Sequence, residues 1–221
     1  MSLSQMDSLL TQARQFLTDN PFDAGHDLAH AEAVWATAQD ISKHIVLDPG
    51  SKRQTDSGSA IVDLNALKLA CFWHDVVVKP RDELHSAGHN VADTASFLEA
   101  RLQEFHFDSA FITTSIKAVR YHQFEDTPVN LEGQILWDAD KLEVLNLDRW
   151  LTSQNAVVSG QMSQSTLDAY LDTGFKWLQI LRPKFHFDYS LALFDQRLQN
   201  LAANPQIQTL ACQKGFNFDK I

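Results

Sequence analysis

Cysteine is scarce in this chain, with two residues in 221, Cys71 and Cys212. Neither stands in a CxxC or Cys/His spacing, which excludes a disulfide framework and a thiolate zinc finger. Both have apolar neighbours and are expected to be buried free thiols in a reducing, cytoplasmic compartment. Positive charge is also short: 18 Lys and Arg against 28 Asp and Glu leave a net charge of −10. No basic run is longer than Lys52-Arg53. Binding a nucleic-acid polymer needs clustered cations to neutralise phosphates, so no such partner is expected. An acidic protein still handles phosphate where a metal ion supplies positive charge locally. No apolar run approaches the roughly 18 residues that span a bilayer, so no membrane partner is expected. The N-terminal MSLSQMDSLLTQARQFL lacks a basic segment and a continuous apolar stretch, and reads as a mature helix rather than a signal peptide. Absence of GxxxxGK[ST] and GxSxG motifs argues against an ATP-driven motor and a serine hydrolase.

What is present is helical periodicity. Hydrophobic residues make up 44% and charged residues 21%, an ordinary globular balance, and the length fits one large domain. Leu3, Met6, Leu9, Leu10, Ala13, Phe16 and Leu17 form one stripe over 3–18, stopped by Asp19-Asn20-Pro21. A second helix is expected from about Asp27 to Ile45, followed by a surface loop, DPGSKRQTDSGSA, at 48–60. The strongly apolar stretch 61–75 predicts a helix buried on most sides. VVVK at 76–79 has strand-like residues but is cut short by Pro80. Further helices are expected at roughly 84–103, 109–122, 133–146, 164–181 and 189–203. No series of alternating strands appears, so the expected fold is all-α, with short loops and no substantial sheet. EFHFDSA at 104–110 is echoed by KFHFDYS at 184–190. The simpler account is helix capping by Asp108 and Asp188, with Phe107 and Phe187 preceding them.

Nine histidines occur, unevenly placed. His26 and His30 are four apart in GHDLAHAEAV, on one helix face. His74-Asp75 ends the most apolar segment, in LACFWHDVV. Asp138 and Asp140 stand in ILWDADKLEVL, where an Asp is either a helix cap or a ligand. Each of these alone has an ordinary explanation; the set does not. Two ionisable groups at the edge of a core are costly unless paired, and a divalent cation satisfies both. Imidazole and carboxylate donors suit Mn, Fe, Co, Ni or Zn better than a thiol-only site would.

His30 in HAEAV, His74-Asp75 and Asp140 in DADKL resemble the H…HD…D signature of the HD superfamily of metal-dependent phosphohydrolases. Separations of 44 residues from His30 to His74 and 65 from Asp75 to Asp140 are compatible with it. GHDLAHAEAV, LACFWHDVVVKPR and Ser86-Ala87 resemble a bacterial branch of predicted HD phosphohydrolases. Ala33 stands where many HD proteins have Arg, and Val78-Lys79 where this branch has an aromatic and an acidic residue. The resemblance implies a single HD-type helical domain over 1–221. Its metal-site core would span about 22–146, with C-terminal helices at about 147–213 packing on it. It implies His30, His74, Asp75 and Asp140 as ligands to a divalent cation (Mn, Fe, Co, Ni, Mg or Zn), and a cytoplasmic enzyme.

The implied reaction is hydrolysis of a small phosphate ester or anhydride, a nucleotide being the expected substrate class. Asp75 would ligate the metal and orient water. Lys79, Arg81 or His122 would offset phosphoryl charge, and Glu83 is a weaker general-base candidate. His89 and His122 are candidate ligands for a second metal, while His26 and Asp138 flank the expected ligands. Three rivals remain. An HD-type di-iron oxygenase keeps the fold; a non-catalytic metal- or nucleotide-binding signalling protein keeps the site. A zinc protease would read His26-Asp27-Leu28-Ala29-His30 as a variant HExxH with Asp27 as base. An apolar helix face leaves a homodimer as the one protein partnership suggested.

Overall fold

The computed structural model describes residues 3–19, 26–47, 61–77, 91–160 and 162–221. Among these residues there are ten α-helices and no strand, as the periodicity predicts. They are α1 (Leu3–Asp19), α2 (Leu28–Leu47), α3 (Leu64–Trp73), α4 (Val91–Glu104), α5 (Ser109–Arg120), α6 (Leu131–Leu142), α7 (Leu147–Val158), α8 (Gln164–Leu181), α9 (Asp188–Ala203) and α10 (Pro205–Gln213). The loop expected at 48–60 lies outside the described residues, as do Val78 and Lys79 of the strand-like VVVK. Val76 and Val77 are buried without forming a strand. No described helix is long and apolar enough to cross a membrane.

The helix-by-helix ranges do not pick out α7 and α10 within the C-terminal helices expected over about 147–213. Of α7 only Trp150 is buried, so its periodicity is faint. In α10, Pro205 reads as a connector, yet it sits in the first turn behind the Asn204 cap, a position proline tolerates well. α6 begins earlier than expected, at Leu131, and gives way to a 3₁₀ turn at Glu143–Leu145. Asp138 and Asp140 therefore lie well inside the helix, and neither caps its start.

The chain divides into two compact units, Met1–Asp140 and Lys141–Ile221. In the first, α3 is central. Ala66, Leu67, Leu69, Ala70, Cys71, Phe72 and Trp73 are all buried, so this helix has almost no outer face. It packs against α1, α2 and α5, and α4 packs against α5. Its start is set by Asp63, whose carboxylate accepts from the backbone N–H of Asn65 and Ala66, each at 3.0 Å. Buried Glu132 of α6 accepts from the Asp63 N–H at 2.9 Å. The Trp73 indole N–H donates to the Leu9 carbonyl at 3.2 Å, fastening α1 to the far end of α3.

The two FHFD copies are not equivalent. After α4 the chain turns through His106 at φ 56°, with the Phe107 N–H bonded to the Leu102 carbonyl and the His106 N–H to that of Gln103. This left-handed helix ending is usually given to glycine. Asp108 then caps α5 as expected, accepting from the Phe111 N–H at 2.9 Å. Asp188, by contrast, is the first residue inside α9 and not its cap. There its charge favours the helix dipole. Of the two cysteines, Cys71 is buried but Cys212 is exposed, because α10 buries Ile207, Leu210 and Ala211 instead.

In the second unit, α9 packs with α10, α7 with α8, and both α8 and α9 meet the 3₁₀ turn. Buried Glu143 accepts from the Arg197 guanidinium at 2.9 Å and from the Asn146 amide at 2.8 Å. Trp150 is buried with its indole N–H on the Val144 carbonyl at 2.7 Å and its ring 4.9 Å from that of Phe175. Gly174 of α8 lies against this ring: a Cβ there would come within 3.0 Å of two Trp150 ring carbons. Alanine is the better helix former by about 1 kcal/mol. The immobilised indole nevertheless makes Gly174→Ala destabilising by about 1 kcal/mol net, since overpacking costs roughly 1–3 kcal/mol and the propensity gain offsets about 1 of it. Urea unfolding monitored by tryptophan fluorescence checks the sign.

Candidate metal centre

His30 enters the site from the first turn of α2. Asp27 caps that turn: its carboxylate accepts from the His30 N–H at 3.0 Å and its carbonyl from the Ala31 N–H at 3.2 Å. With Asp27 acting as a cap, the zinc-protease reading loses its base. His74 and Asp75 lie just beyond α3, where the helix stops and the chain turns. The His74 N–H still bonds the Ala70 carbonyl at 2.9 Å, and its ring Nδ1 faces the Cys71 carbonyl at 2.8 Å. Asp140 comes from the last turn of α6.

These elements bring four donor atoms together. His30 Nε2 lies 3.3 Å from Asp75 Oδ2 and 3.2 Å from Asp140 Oδ1. His74 Nε2 lies 3.0 Å from Asp75 Oδ2 and 3.8 Å from Asp140 Oδ1. The two Nε2 atoms are 3.3 Å apart. Ligand atoms of His30, His74 and Asp140 all fall within 4.8 Å of one another, a grouping that can hold a metal ion. His30 and His74 are buried and the two carboxylates nearly so.

The chemistry of this donor set fits a cation. A carbonyl oxygen only accepts, so His74 Nδ1 must carry the hydrogen it gives to Cys71. The neutral ring then directs its Nε2 lone pair at the carboxylates, and acceptor would face acceptor at 3.0 Å unless positive charge lay between them. Without a metal, a proton fills that role. Burial by itself would lower the pKa of His74, but the Asp75 and Asp140 carboxylates outweigh it and raise it to about 10. Burial likewise works to raise Asp75, yet His74, His26, His122 and His30 hold it well below the usual carboxylate range. Burial, reinforced by Asp140, pushes the Cys71 thiol up; it stays protonated, and the available donors are nitrogen and oxygen.

No protein-family model and no curated protein sequence matches this chain. Solved structures do. A protein from Lactobacillus plantarum matches with a TM-score of 0.64 at 18% identity, covering 97% of this chain and 99% of that one. A predicted HD superfamily hydrolase from an uncultured Thermotogales bacterium matches at 0.53 and 21% identity, over 96% and 92% of the two chains. The chain shares its fold with these proteins, a predicted HD superfamily hydrolase among them. Bacillus subtilis YpgQ, solved in complex with ADP, matches at 0.60 and 19% identity, over 96% of this chain and 95% of that one.

Within this fold, His30, His74, Asp75 and Asp140 are the residues that converge. His122 joins them from just beyond α5. Its Nδ1 donates to the Val119 carbonyl at 2.6 Å, and its Nε2 lies 3.7 Å from Asp75 Oδ1. Its ring meets that of His74 edge-on at 5.1 Å. His26 is half-buried, its ring 5.4 Å from that of His30, and Asp138 is wholly buried on α6. Lys79, Arg81, Glu83 and His89 lie outside the described residues. What sequence reasoning missed are the backbone groups that orient the rings, the Cys71 and Val119 carbonyls. No side-chain letter signals them.

The raised pKa of His74 has a sign that can be tested. A metal must displace the His74 proton, so uptake near neutral pH should release about one proton, and affinity should rise about tenfold per pH unit until His74 titrates. Calorimetric titration in buffers of different ionisation enthalpy measures that proton directly. In the metal-free protein the folded state binds this proton more tightly than the unfolded state does. The stabilisation is therefore fully present below the ordinary value of 6.5 and is lost as pH rises toward about 10. Thermal unfolding in the presence of a chelator should show that decline.

Proposed function

We propose that this protein is a metal-dependent phosphohydrolase acting on a small phosphate ester or anhydride, with nucleotides as the substrate class. The observation that carries the reading is the convergence of His30 Nε2, His74 Nε2, Asp75 Oδ2 and Asp140 Oδ1 in one largely buried cluster. Two imidazoles and two carboxylates are a donor set for a divalent first-row cation and leave coordination positions open. The fold shared with a predicted HD superfamily hydrolase supports hydrolysis. A similarly folded protein in complex with ADP supports the nucleotide class.

When bound, a divalent cation supplies Lewis acidity that polarises a phosphoryl oxygen and lowers the pKa of water toward about 7. The protein's own groups do the rest. His30 and His74 contribute neutral Nε2 lone pairs, the His74 tautomer being held by its bond to Cys71. Asp75 uses Oδ2 toward the two imidazoles, and its Oδ1 accepts a hydrogen bond from the attacking water, orienting it. His122 borders Asp75 Oδ1 and contacts the phosphoryl group. Lys79 and Glu83 keep the roles of phosphate contact and weaker general base. Proximity of His122 to Asp75 is also what a second metal, and hence an HD-type oxygenase, would use; iron content and oxygen consumption separate that reading.

Asp75→Ala should fold, lose more than about 100-fold in metal affinity, beyond what outer-shell partners typically contribute, and lose turnover with it. Metal content after dialysis, circular dichroism, and phosphate or pyrophosphate release across a nucleotide panel with Mn, Co, Ni or Mg check the three parts. A variant that keeps full metal content and rate would show that the site lies elsewhere.

A further inference from the structure

We infer that Thr94 is a positioning residue for the metal centre, acting through the backbone that carries Asp75. The inference rests on the metal-centre reading above and adds to it a residue outside the donor cluster.

Thr94 lies in the first turn of α4, on the face buried with Val91, Ala95, Leu98 and Leu102. It is 1% exposed. Valine would fill the same space on this apolar face, and a hydroxyl buried there is costly unless it is bonded. The hydroxyl of Thr94 donates to the Val76 carbonyl at 2.5 Å, a buried bond between residues 18 apart in sequence. Val76 is itself wholly buried, and it lies beyond the last turn of α3.

Bonds at this helix end that run back onto α3 include the His74 N–H to Ala70, His74 Nδ1 to Cys71, and the Val76 N–H to the Trp73 carbonyl at 3.2 Å. Thr94 adds a hold from a second helix. Val76 is thereby bonded at both its N–H and its carbonyl, and Asp75 stands between two residues whose backbones are fixed. Its Oδ2 must reach two imidazole nitrogens at 3.0 and 3.3 Å, a placement that tolerates displacements of only about 0.5 Å. Removing the hydroxyl frees the Val76 carbonyl end and lets Asp75 pivot, while the volume of the core is kept.

The test is Co(II) binding by equilibrium dialysis, with thermal unfolding of the metal-free proteins, for wild type, Thr94→Val and Thr94→Ser. Outer-shell partners typically contribute 10- to 100-fold in metal affinity, so Thr94→Val should weaken Co(II) binding by about tenfold or more, and Thr94→Ser should stay within about twofold of wild type. A purely structural role would lower the unfolding temperature of Thr94→Val and leave its Co(II) affinity unchanged, and that result overturns the inference. So does a Thr94→Ser protein that loses affinity as far as Thr94→Val, because the hydroxyl would not be the group that matters. Should Thr94→Val not fold, Thr94→Ala, which also lacks the hydroxyl, takes its place: Co(II) binding weakened by about tenfold upholds the inference and wild-type affinity overturns it. Wild-type protein that takes up no Co(II) overturns the metal-centre reading itself, and is distinguished by the absence of any binding to compare.

Discussion

Four electron-rich atoms are forced to face one another in a largely buried space. His30 Nε2, His74 Nε2, Asp75 Oδ2 and Asp140 Oδ1 lie within 3.0–3.8 Å across the imidazole–carboxylate pairs, and such an arrangement is stable only around positive charge. The surrounding structure serves this demand. α3 is buried almost all round, which lets it deliver His74 and Asp75 from the middle of the first unit. α2 is capped at Asp27 so that its first turn presents His30. α6 is anchored through Glu132 to the start of α3 and brings Asp140 at its other end. Whether a proton or a metal ion supplies the charge, the scaffold is built to need one.

Much of this was legible in the sequence, for reasons that differ by residue. The ligand candidates are chemically distinctive letters, and it is the resemblance of HAEAV and DADKL to the HD signature that favours His30 over His26 and Asp140 over Asp138. Burial of α3 followed from its composition. Other features carry no letter code. The groups that orient His74 and His122 are backbone carbonyls, which any residue supplies. Thr94 reads as an ordinary polar residue in a helix, and its bond to Val76 exists only once α4 lies beside the end of α3. α7 is not picked out by itself because one buried tryptophan gives no stripe. The repeated FHFD string promised two equal caps, yet a left-handed His106 in the first copy and an in-helix Asp188 in the second show that identical letters meet different chain directions.

Identities of 18–21% to similarly folded proteins show how loosely a helical core constrains its sequence. Apolar positions accept many substitutions when volume and pattern are kept, so the fold survives where resemblance in letters has faded. The same latitude means that fold alone does not name a reaction. The chemical reading therefore stands on atoms, namely two imidazoles and two carboxylates with a buried neutral thiol nearby that takes no part.

The bonds from His74 to Cys71 and from His122 to Val119 each span three residues. They are as local as a helical turn and form at the rate at which helix ends form. The approach of His30 to His74, by contrast, closes a separation of 44 residues, and long-range contacts of this kind come late because loop closure must precede them. Ring orientation is thus made early and cheaply, one helix end at a time, while the cluster itself appears only when the helices dock. A cation arriving during folding would meet imidazoles already turned the right way, and would act on the last, topology-limited step of assembly.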